Sequence, residues 1–267
     1  MKRRVIDLSI ADISEAYAGP VGALWELVMG EEIHVGGAGE TDRLAALAGV
    51  RAGDRLLDIC SALGGPARHL AAVYGCQVTG VDATAAMVTE AEARTKTAGL
   101  SDLVSFRLGN ALDLPFRGST FDIVWGQDAW CYVTDRDRLI REAGRVAKPG
   151  GTLAFTDWVE TGRMTDGERE ELLSFMLFPP LETPGGYDTL LARHGWEVTR
   201  YENLDLEFAL SLGRYLELVK GDLRLAIIER FGQEMYTVAE QGITGWEKAA
   251  RERKVGRGQW IARKAGR

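Results

Sequence analysis

The chain reads Arg55-Leu-Leu-Asp-Ile-Cys-Ser-Ala-Leu-Gly-Gly-Pro66 across the segment from which its architecture is most readily deduced. Leu56 to Ile59 favour a strand, and Pro66 suits the first turn of a helix, where its missing N–H is not needed. The segment therefore predicts a strand, a tight turn and a helix start. Backbone N–H groups at such a helix start lie at the positive end of its dipole, so we expect a ligand above the turn.

A second strand is predicted at Val78-Thr-Gly-Val-Asp82, which ends in an acid 24 residues after Asp58. An acid roughly 20 residues beyond the turn is placed to accept hydrogen bonds from ribose hydroxyls. The alternative is that Asp82 is only a charge at the N-terminus of the following helix, predicted over residues 85–98.

Further strands are predicted at residues 103–108, 121–127 and 152–156, and helices of ordinary length separate the strands. This alternation is typical of parallel βαβ units, whose ligand crevice lies outside the carboxyl ends of the strands. Five polar residues fall at those ends: Asp58, Asp82, Asn110, Gln127 and Asp157.

Composition is consistent with an α/β enzyme. The 267 residues are 46% hydrophobic, enough for a sizeable core. No apolar run reaches the length of a membrane span, and Met1-Lys-Arg-Arg4 is followed by acids, not by an apolar targeting segment. We therefore expect a cytoplasmic protein without a membrane partner. Cys60, Cys76 and Cys131 lack the spacing of a disulfide framework or a zinc site, so no metal is expected.

The formal net charge of −7 argues against nucleic acid as a partner. Residues 248–267 are locally basic, and we interpret them as a solvated face, with binding of an anionic substrate group as the alternative. The sequence leaves the oligomeric state undetermined.

Two segments outside the strand pattern are candidates for a lid. Residues 10–37 are mostly apolar and precede the first strand, so they could close over a pocket or merely pack outside the sheet. Thr41-Asp42 is predicted to cap a helix over residues 43–48. Residues 159–186 are irregular, with three prolines in 178–186, as in insertions that cap active sites.

After that insertion a strand is predicted at residues 197–202 and a helical region at 206–253, broken near Gly232 and at 242–245. A last strand at 259–264 should insert antiparallel beside the sixth. The predicted organisation is thus a lid segment (1–40), a cofactor-binding core (41–158), an insertion with the sixth strand and a helical cap (159–253), and the last strand and tail (254–267).

Several motifs together resemble class I S-adenosylmethionine-dependent methyltransferases and cover about half of the chain: residues 57–70, Asp82, and residues 109–116, 121–129 and 145–151. More narrowly, residues 30–36, 63–70, 127–129 and 256–264 resemble the sarcosine and dimethylglycine N-methyltransferases, with relatives among the phosphoethanolamine methyltransferases. The resemblance implies a Rossmann-like, seven-stranded, mostly parallel α/β sheet with an antiparallel last strand and a helical lid.

The resemblance also implies S-adenosylmethionine as cofactor, S-adenosylhomocysteine as product and a small-molecule methyl acceptor. Asp82 would bind the ribose, Asn110 and the amide of Ala111 the adenine, and the backbone of the turn and of Gln127 the methionine portion. The implied cofactor-binding residues are Asp58, Cys60, Ser61, Gly64, Asp82, Ala83, Asn110, Ala111 and Gln127.

This sequence departs from the family motif because Cys60 and Ala62 replace its first two glycines. We expect both residues to keep a negative φ and the pocket to be slightly tighter. Arg68, in the first helix, is interpreted as a surface residue.

The sequence gives fewer signals for the residues that bind the methyl acceptor. Methyl transfer is an in-line displacement that depends on positioning, so a base is needed only for a hydroxyl or ammonium acceptor. Candidate catalytic residues are His34, Tyr132 and Asp157. Where phosphoethanolamine methyltransferases pair a lid tyrosine with a histidine after the fourth strand, this chain is expected to place Trp25 and Tyr132.

Tyr17, Trp25, Trp130 and Trp158 are candidate substrate residues. Tyr17, Trp130 and Trp158, together with Tyr132, could form an aromatic wall for an ammonium product, or they could belong to the core. The leading hypothesis is N-methylation of a small amine, similar to sarcosine or dimethylglycine. The alternatives are O- or C-methylation of a larger natural-product-like acceptor, and cofactor binding without turnover.

Overall fold

The computed structural model describes residues 8–266, so the N-terminal Met1-Lys-Arg-Arg4 motif and the extreme ends of the predicted lid and tail lie outside the described residues. Within this range one sheet has the order β3-β2-β1-β4-β5-β7-β6. Its strands are β1 (Arg55–Ile59), β2 (Gln77–Asp82), β3 (Val104–Leu108), β4 (Phe121–Gln127), β5 (Ala147–Glu160), β6 (Trp196–Asn203) and β7 (Val255–Lys264).

The first five strands run parallel, and β7 is antiparallel to both of its neighbours, β5 and β6. Asp58 of β1 lies opposite Gly80 of β2 on one side and Trp125 of β4 on the other. The carboxyl ends of β1, β2 and β4 therefore meet at one edge of the sheet. This confirms the predicted mostly parallel, Rossmann-like sheet with an antiparallel last strand.

Ten helices accompany the sheet within the described range: α1 (Ile10–Ala18), α2 (Pro20–Met29), α3 (Gly37–Ala48), α4 (Gly65–Tyr74), α5 (Ala85–Thr97), α6 (Arg136–Val146), α7 (Asp166–Met176), α8 (Pro184–Arg193), α9 (Asp205–Lys220) and α10 (Arg224–Arg251). None of these helices is long and apolar enough to cross a membrane.

Two predicted helix boundaries are wrong. Helix α3 begins at Gly37, so Thr41 lies inside it, fully buried, and does not cap it. Gly232 does interrupt helix α10 with a φ of 89°, but the helix continues through residues 242–245. Position 242 has no room for a larger residue than glycine, since a Cβ there would lie 2.0 Å from the ring of Phe175.

Helices α2, α7, α9 and α10 share one hydrophobic core. Trp25 of α2 belongs to the same buried cluster as Phe208 of α9 and Trp246 of α10. Trp158, near the end of β5, joins this cluster through edge contacts to both Phe208 and Trp246. These four helices, which come from both ends of the chain, form one layer, which we call the helical cap.

Burial of apolar side chains from α9 should hold the helical cap in place. Leu212 is 3% exposed, whereas Leu210 in the same helix is 55% exposed. We expect Leu212→Ala to lower the free energy of unfolding by about 2–5 kcal/mol because it opens a cavity. The same substitution at Leu210 should change it by less than about 0.5 kcal/mol. Urea denaturation measures both, and equal effects would contradict the packing described.

Candidate active site

A cavity of about 300 Å³ lies at the carboxyl edge formed by β1, β2 and β4. Helix α1 and the turn at residues 30–36, which we call the lid turn, supply part of its wall. Its volume is at the lower end of the range for small-molecule sites. Ten of the sequence-predicted residues line it: Tyr17, Asp58, Cys60, Ser61, Asp82, Ala83, Asn110, Ala111, Gln127 and Tyr132.

The turn after β1 differs from expectation. Cys60 and Ala62 have φ values of 65° and 44°, so the prediction of negative φ at both is wrong. The N–H groups of Cys60 and Ser61 donate to the Val81 carbonyl at 2.8 and 3.1 Å, and that of Ala62 donates to an Asp82 carboxylate oxygen at 2.9 Å. A left-handed conformation costs a residue other than glycine about 1–2 kcal/mol. The hydrogen bonds to β2 offset this cost and hold Cys60 and Ala62 in place.

Gly64 also has a left-handed φ of 72°, but it is not part of the cavity lining. A Cβ at Gly64 would lie 2.3 Å from the ring of Phe106, so the glycine allows close packing against β3. Next to it, a Cβ at Gly65 would lie 2.7 Å from the Glu31 carbonyl oxygen. The lid turn therefore lies directly against the start of α4.

Arg68 is buried, and its interpretation as a surface residue is wrong. Its guanidinium donates to the Leu63 carbonyl at 2.7 Å and to the Glu31 carboxylate at 2.5 Å. The protein tolerates burial of this cation because two hydrogen-bond acceptors replace the water that the guanidinium loses. Arg68 thus joins the turn after β1 to the lid turn.

Two acids, Asp58 and Asp82, line the cavity at the ends of β1 and β2. Asp82 accepts hydrogen bonds from the N–H groups of Ala62 and Thr84, each at 2.9 Å. Burial raises the pKa of Asp82, although these bonds oppose the rise. Burial, with the charges of Asp82 and Glu32 nearby, raises the pKa of Asp58 to about 7. A cationic group at this end of the cavity would stabilise the charged forms of both acids.

Four lining residues each have a buried polar atom without a hydrogen-bond partner among residues 8–266. Two of these atoms are carboxylate oxygens, Oε2 of Glu32 and Oδ2 of Asp58, and two others are Oγ of Ser61 and Nε2 of Gln127. Buried polar atoms normally have partners, so their concentration at one cavity indicates a polar ligand. Acceptors and donors together suit a group that carries both an ammonium and a carboxylate.

The orientation of the Gln127 amide is fixed by its surroundings. Its Oε1 accepts from the indole N–H of Trp125 at 3.0 Å and from the Thr41 hydroxyl at 3.1 Å. Because an indole N–H can only donate, the atom facing it must be the oxygen. The amide N–H groups therefore remain available to a ligand.

His34 and Asp157 lie outside the cavity lining. His34 is 1% exposed and contacts the Thr41 hydroxyl through Nε2 at 3.1 Å. Asp157 is fully buried and accepts from the Cys131 N–H at 3.0 Å and from the Tyr187 hydroxyl. Burial raises the pKa of Asp157 to about 6. Of the three candidate catalytic residues, the structure brings only Tyr132 to the cavity.

Tyr17 of α1 meets Tyr132 over the cavity, with their hydroxyls hydrogen-bonded and their ring centroids 5.3 Å apart. The expectation that Trp25 stands opposite Tyr132 is wrong, because Trp25 packs against Phe175 in the helical cap. Burial raises the pKa of both tyrosines above the ordinary value. Both hydroxyls therefore stay protonated near neutral pH.

The other tryptophans do not reach the cavity either. Trp130 is fully buried and stacks on Phe155, with ring centroids 4.6 Å apart. Trp158 packs in the helical cap. The aromatic part of the cavity wall within the described chain is therefore the pair Tyr17 and Tyr132, and the tryptophans belong to the cores.

Residues 57–155 match a family model described as a methyltransferase domain. The chain contains a class I, S-adenosylmethionine-dependent methyltransferase domain. Within this methyltransferase domain, the residues at the cavity come from the ends of β1, β2 and β4 and from the loop that follows β3.

Sequence relatives extend the likeness beyond the methyltransferase domain. The glycine/sarcosine/dimethylglycine N-methyltransferase of Actinopolyspora halophila is 30% identical over 220 residues, which cover 82% of this chain and 39% of that protein. The 27-O-demethylrifamycin SV methyltransferase of Amycolatopsis mediterranei is 39% identical over 133 residues, which cover 48% of this chain and 49% of that protein. The chain thus spans less than half the length of either relative.

A solved structure with the same fold is that of Haemonchus contortus phosphoethanolamine N-methyltransferase 2, in complex with phosphomonomethylethanolamine and S-adenosylhomocysteine. It superposes with a TM-score of 0.88 and is 23% identical, covering 97% of this chain and 60% of that chain. At this identity the likeness concerns the fold of the methyltransferase domain and its cap.

Sequence reasoning missed two charged residues at the site. Glu32 lines the cavity from the lid turn, and Arg257 of β7, placed by us on a solvated face, is 1% exposed and paired with Asp128. The expectation of a solvated position is therefore wrong for Arg257. Gly256 and Gly258, on either side of Arg257, were the signal available in the sequence, because glycine inside a strand often marks a place where other groups approach the backbone closely.

The raised pKa of Asp58 gives a prediction on pH-dependent stability. Between about pH 4 and pH 7 the folded protein binds a proton at Asp58 that the unfolded chain has released, so this contribution to stability falls as the pH rises. Relative to the parent, Asp58→Asn should gain stability across this range, by up to about 1.4 kcal/mol for each pH unit.

Denaturant unfolding at a series of pH values measures this difference. The matched substitution at the exposed Asp102 should leave the pH profile of the parent unchanged. A difference between Asp58→Asn and the parent that stays constant from pH 4 to pH 7 would contradict the assigned environment of Asp58.

Proposed function

We propose that the protein transfers the methyl group of S-adenosylmethionine to the nitrogen of a small amine. The observation that carries the proposal is the set of unpartnered polar atoms around the cavity of a methyltransferase domain. The sarcosine-type relative supports the choice of nitrogen as the methyl acceptor. When bound, the cofactor supplies a methyl group already activated by its sulfonium.

The residues of the cavity fit this cofactor. The unpartnered oxygen of Asp58 suits its ammonium, as does Oε2 of Glu32, which has no hydrogen bond although Nε2 of His34 lies 3.6 Å away. The unpartnered donors of Ser61 and Gln127 suit its carboxylate. Asp82, the last residue of β2, is proposed for the ribose hydroxyls. Asn110 and Ala111, which line the cavity after β3, are proposed for the adenine, with Cys60 and Ala83 forming adjacent wall.

The contribution of the chain to the reaction is then positioning and exclusion of water. Holding a nucleophile and an activated carbon in line can be worth roughly 7–11 kcal/mol. The lid turn and α1 cover the cavity with apolar side chains such as Ile10, Ile13 and Ile33. Among the described lining residues the charged side chains are acidic, which favours a basic acceptor over an anionic one.

We propose that Tyr17 and Tyr132 hold the acceptor. Neutral hydroxyls can orient an amine by hydrogen bonds, and the ring faces attract the ammonium that forms, by as much as about 2 kcal/mol in a desolvated site. Their raised pKa values make them poor bases, so the acceptor amine must arrive unprotonated or lose its proton to water.

His34 and Asp157 are proposed to act through other residues. His34 supports Thr41, which in turn holds the Gln127 amide. Asp157 holds the Cys131 N–H, one residue before Tyr132. Both would thereby position groups at the cavity without touching a ligand.

O-methylation of a larger acceptor is the second candidate. It is favoured by the likeness to the 27-O-demethylrifamycin SV methyltransferase, whose match covers 48% of this chain. The apolar covering of the cavity also suits such an acceptor. The two candidates differ in the atom that receives the methyl group, so product analysis separates them.

Cofactor binding and acceptor choice can be tested together. Calorimetry should detect binding of S-adenosylhomocysteine, and Asp82→Ala should weaken it at least tenfold, about 1.4 kcal/mol, because the turn after β1 loses its support. Asp102→Ala is the exposed control and should bind like the parent.

The acceptor panel should include glycine, sarcosine and dimethylglycine beside phenols and hydroxylated metabolites. N-methylated products are expected, and O-methylated products would select the second candidate. Binding without any product would favour a cofactor-binding protein without turnover. Unchanged affinity of Asp82→Ala would overturn the cofactor placement itself.

The tyrosine pair gives a separate prediction. Tyr132→Phe and Tyr17→Phe each remove one hydroxyl of the hydrogen-bonded pair, so we expect kcat to fall roughly tenfold or more while S-adenosylhomocysteine affinity stays within about twofold. Steady-state kinetics and calorimetry give the two values. Tyr201→Phe, at a tyrosine outside the cavity lining, is the control. Unaltered kcat in both pair variants would remove the tyrosines from the acceptor site.

A further inference from the structure

Arg257 is a buried cation far from the methyltransferase motifs in sequence. From β7 it makes three side-chain contacts: Nε donates to Asp128 at 2.8 Å, one terminal nitrogen to Glu40 at 2.9 Å, and the other to the Thr156 hydroxyl at 3.1 Å. It is 1% exposed and lies outside the cavity lining. A guanidinium suits this place because its fixed fork serves several acceptors at once.

Asp128 connects this cation to the cavity. One of its carboxylate oxygens accepts from Arg257, and the other accepts from the backbone N–H of Val35 at 2.9 Å. Asp128 itself lines the cavity, directly after β4, and has a left-handed φ of 52°. A single carboxylate therefore ties β7 to the end of the lid turn.

The lid turn needs such an anchor. Ile33 and Gly36 have φ values of 49° and 90°, so the backbone is held in a sparsely populated conformation at Ile33. Glu32 and Ile33, which precede Val35, are the parts of the turn that reach the cavity. The hydrogen bond of the Val35 N–H thus fixes the backbone directly after these two residues.

We propose that Arg257 is a positioning residue that holds the lid turn over the cavity by way of Asp128. Without it, the buried carboxylate of Asp128 would have no cation, and the partly exposed Glu40 would keep only Arg43, at 3.7 Å. A buried carboxylate that loses its cation is unstable, so Asp128 would turn toward water and the Val35 N–H would lose its acceptor. The proposal rests on the proposed function, since it takes this cavity as the ligand site.

The test compares Arg257→Gln with the parent by calorimetric titration of S-adenosylhomocysteine and by hydrogen exchange of the peptide covering residues 30–36. We expect the dissociation constant to rise at least tenfold and this peptide to exchange at least tenfold faster, while residues 55–59 of β1 exchange as in the parent. Arg263→Gln on the same strand is the control, because Arg263 makes only a long contact of 3.3 Å to a surface carbonyl.

A double variant tests the charge argument. Adding Glu40→Gln to Arg257→Gln removes one of the two opposed carboxylates and should recover at least threefold of the lost affinity. If Arg257→Gln does not fold, Arg257→Lys replaces it. Lysine keeps the charge but cannot serve all three acceptors, so it should weaken binding at least threefold and speed exchange in the lid turn.

The outcomes separate the two proposals. If the parent protein does not bind S-adenosylhomocysteine, the proposed function fails. If the parent binds it and the Arg257 variant binds equally well with unchanged exchange at residues 30–36, the role of Arg257 is overturned. A uniform acceleration of exchange that includes β1 would also overturn it, since that would indicate global stability alone.

Discussion

Removing carboxylates from water is costly unless each finds compensation, and four of them, Glu32, Asp58, Asp82 and Asp128, line one cavity. Asp82 takes two backbone N–H groups, and Asp128 takes Arg257 and the Val35 N–H. Asp58 has a pKa raised to about 7, and Glu32 keeps a free oxygen. Two of these acids thus have hydrogen-bond partners within the protein, and the other two each keep an oxygen without one among residues 8–266, at the cavity proposed as the ligand site.

The same compensation brings distant parts of the chain together. Arg68 joins α4 to the lid turn, and Arg257 joins β7 to α3 and to the end of β4. The helical cap adds a shared apolar core that includes α2, α9 and α10. The lid turn is therefore held by the Arg68–Glu31 ion pair and by the hydrogen bond from the Val35 N–H to Asp128, while Ile33 and Val35 pack with the helical cap.

The turn after β1 shows how hydrogen bonding can replace the freedom of glycine. Cys60 and Ala62 adopt left-handed backbone conformations that their side chains disfavour. Their N–H groups, with that of Ser61, bond to Val81 and Asp82 of the neighbouring strand. The turn is thus tied to the acid proposed for the ribose, so its conformation and the position of that acid depend on each other.

The sequence by itself determined that parallel strands alternate with helices and that Asp58, Asp82, Asn110 and Gln127 lie at the carboxyl ends of those strands. Hydrophobic periodicity reveals each strand locally, and the alternation with helices sets the strand direction. Only the tertiary structure decided that Tyr17 meets Tyr132, that the tryptophans pack in the cores, and that Arg257 is buried against Asp128. The Tyr17–Tyr132 and Arg257–Asp128 contacts join residues more than a hundred positions apart, and an apolar or charged side chain carries no local signal of which distant surface will cover it.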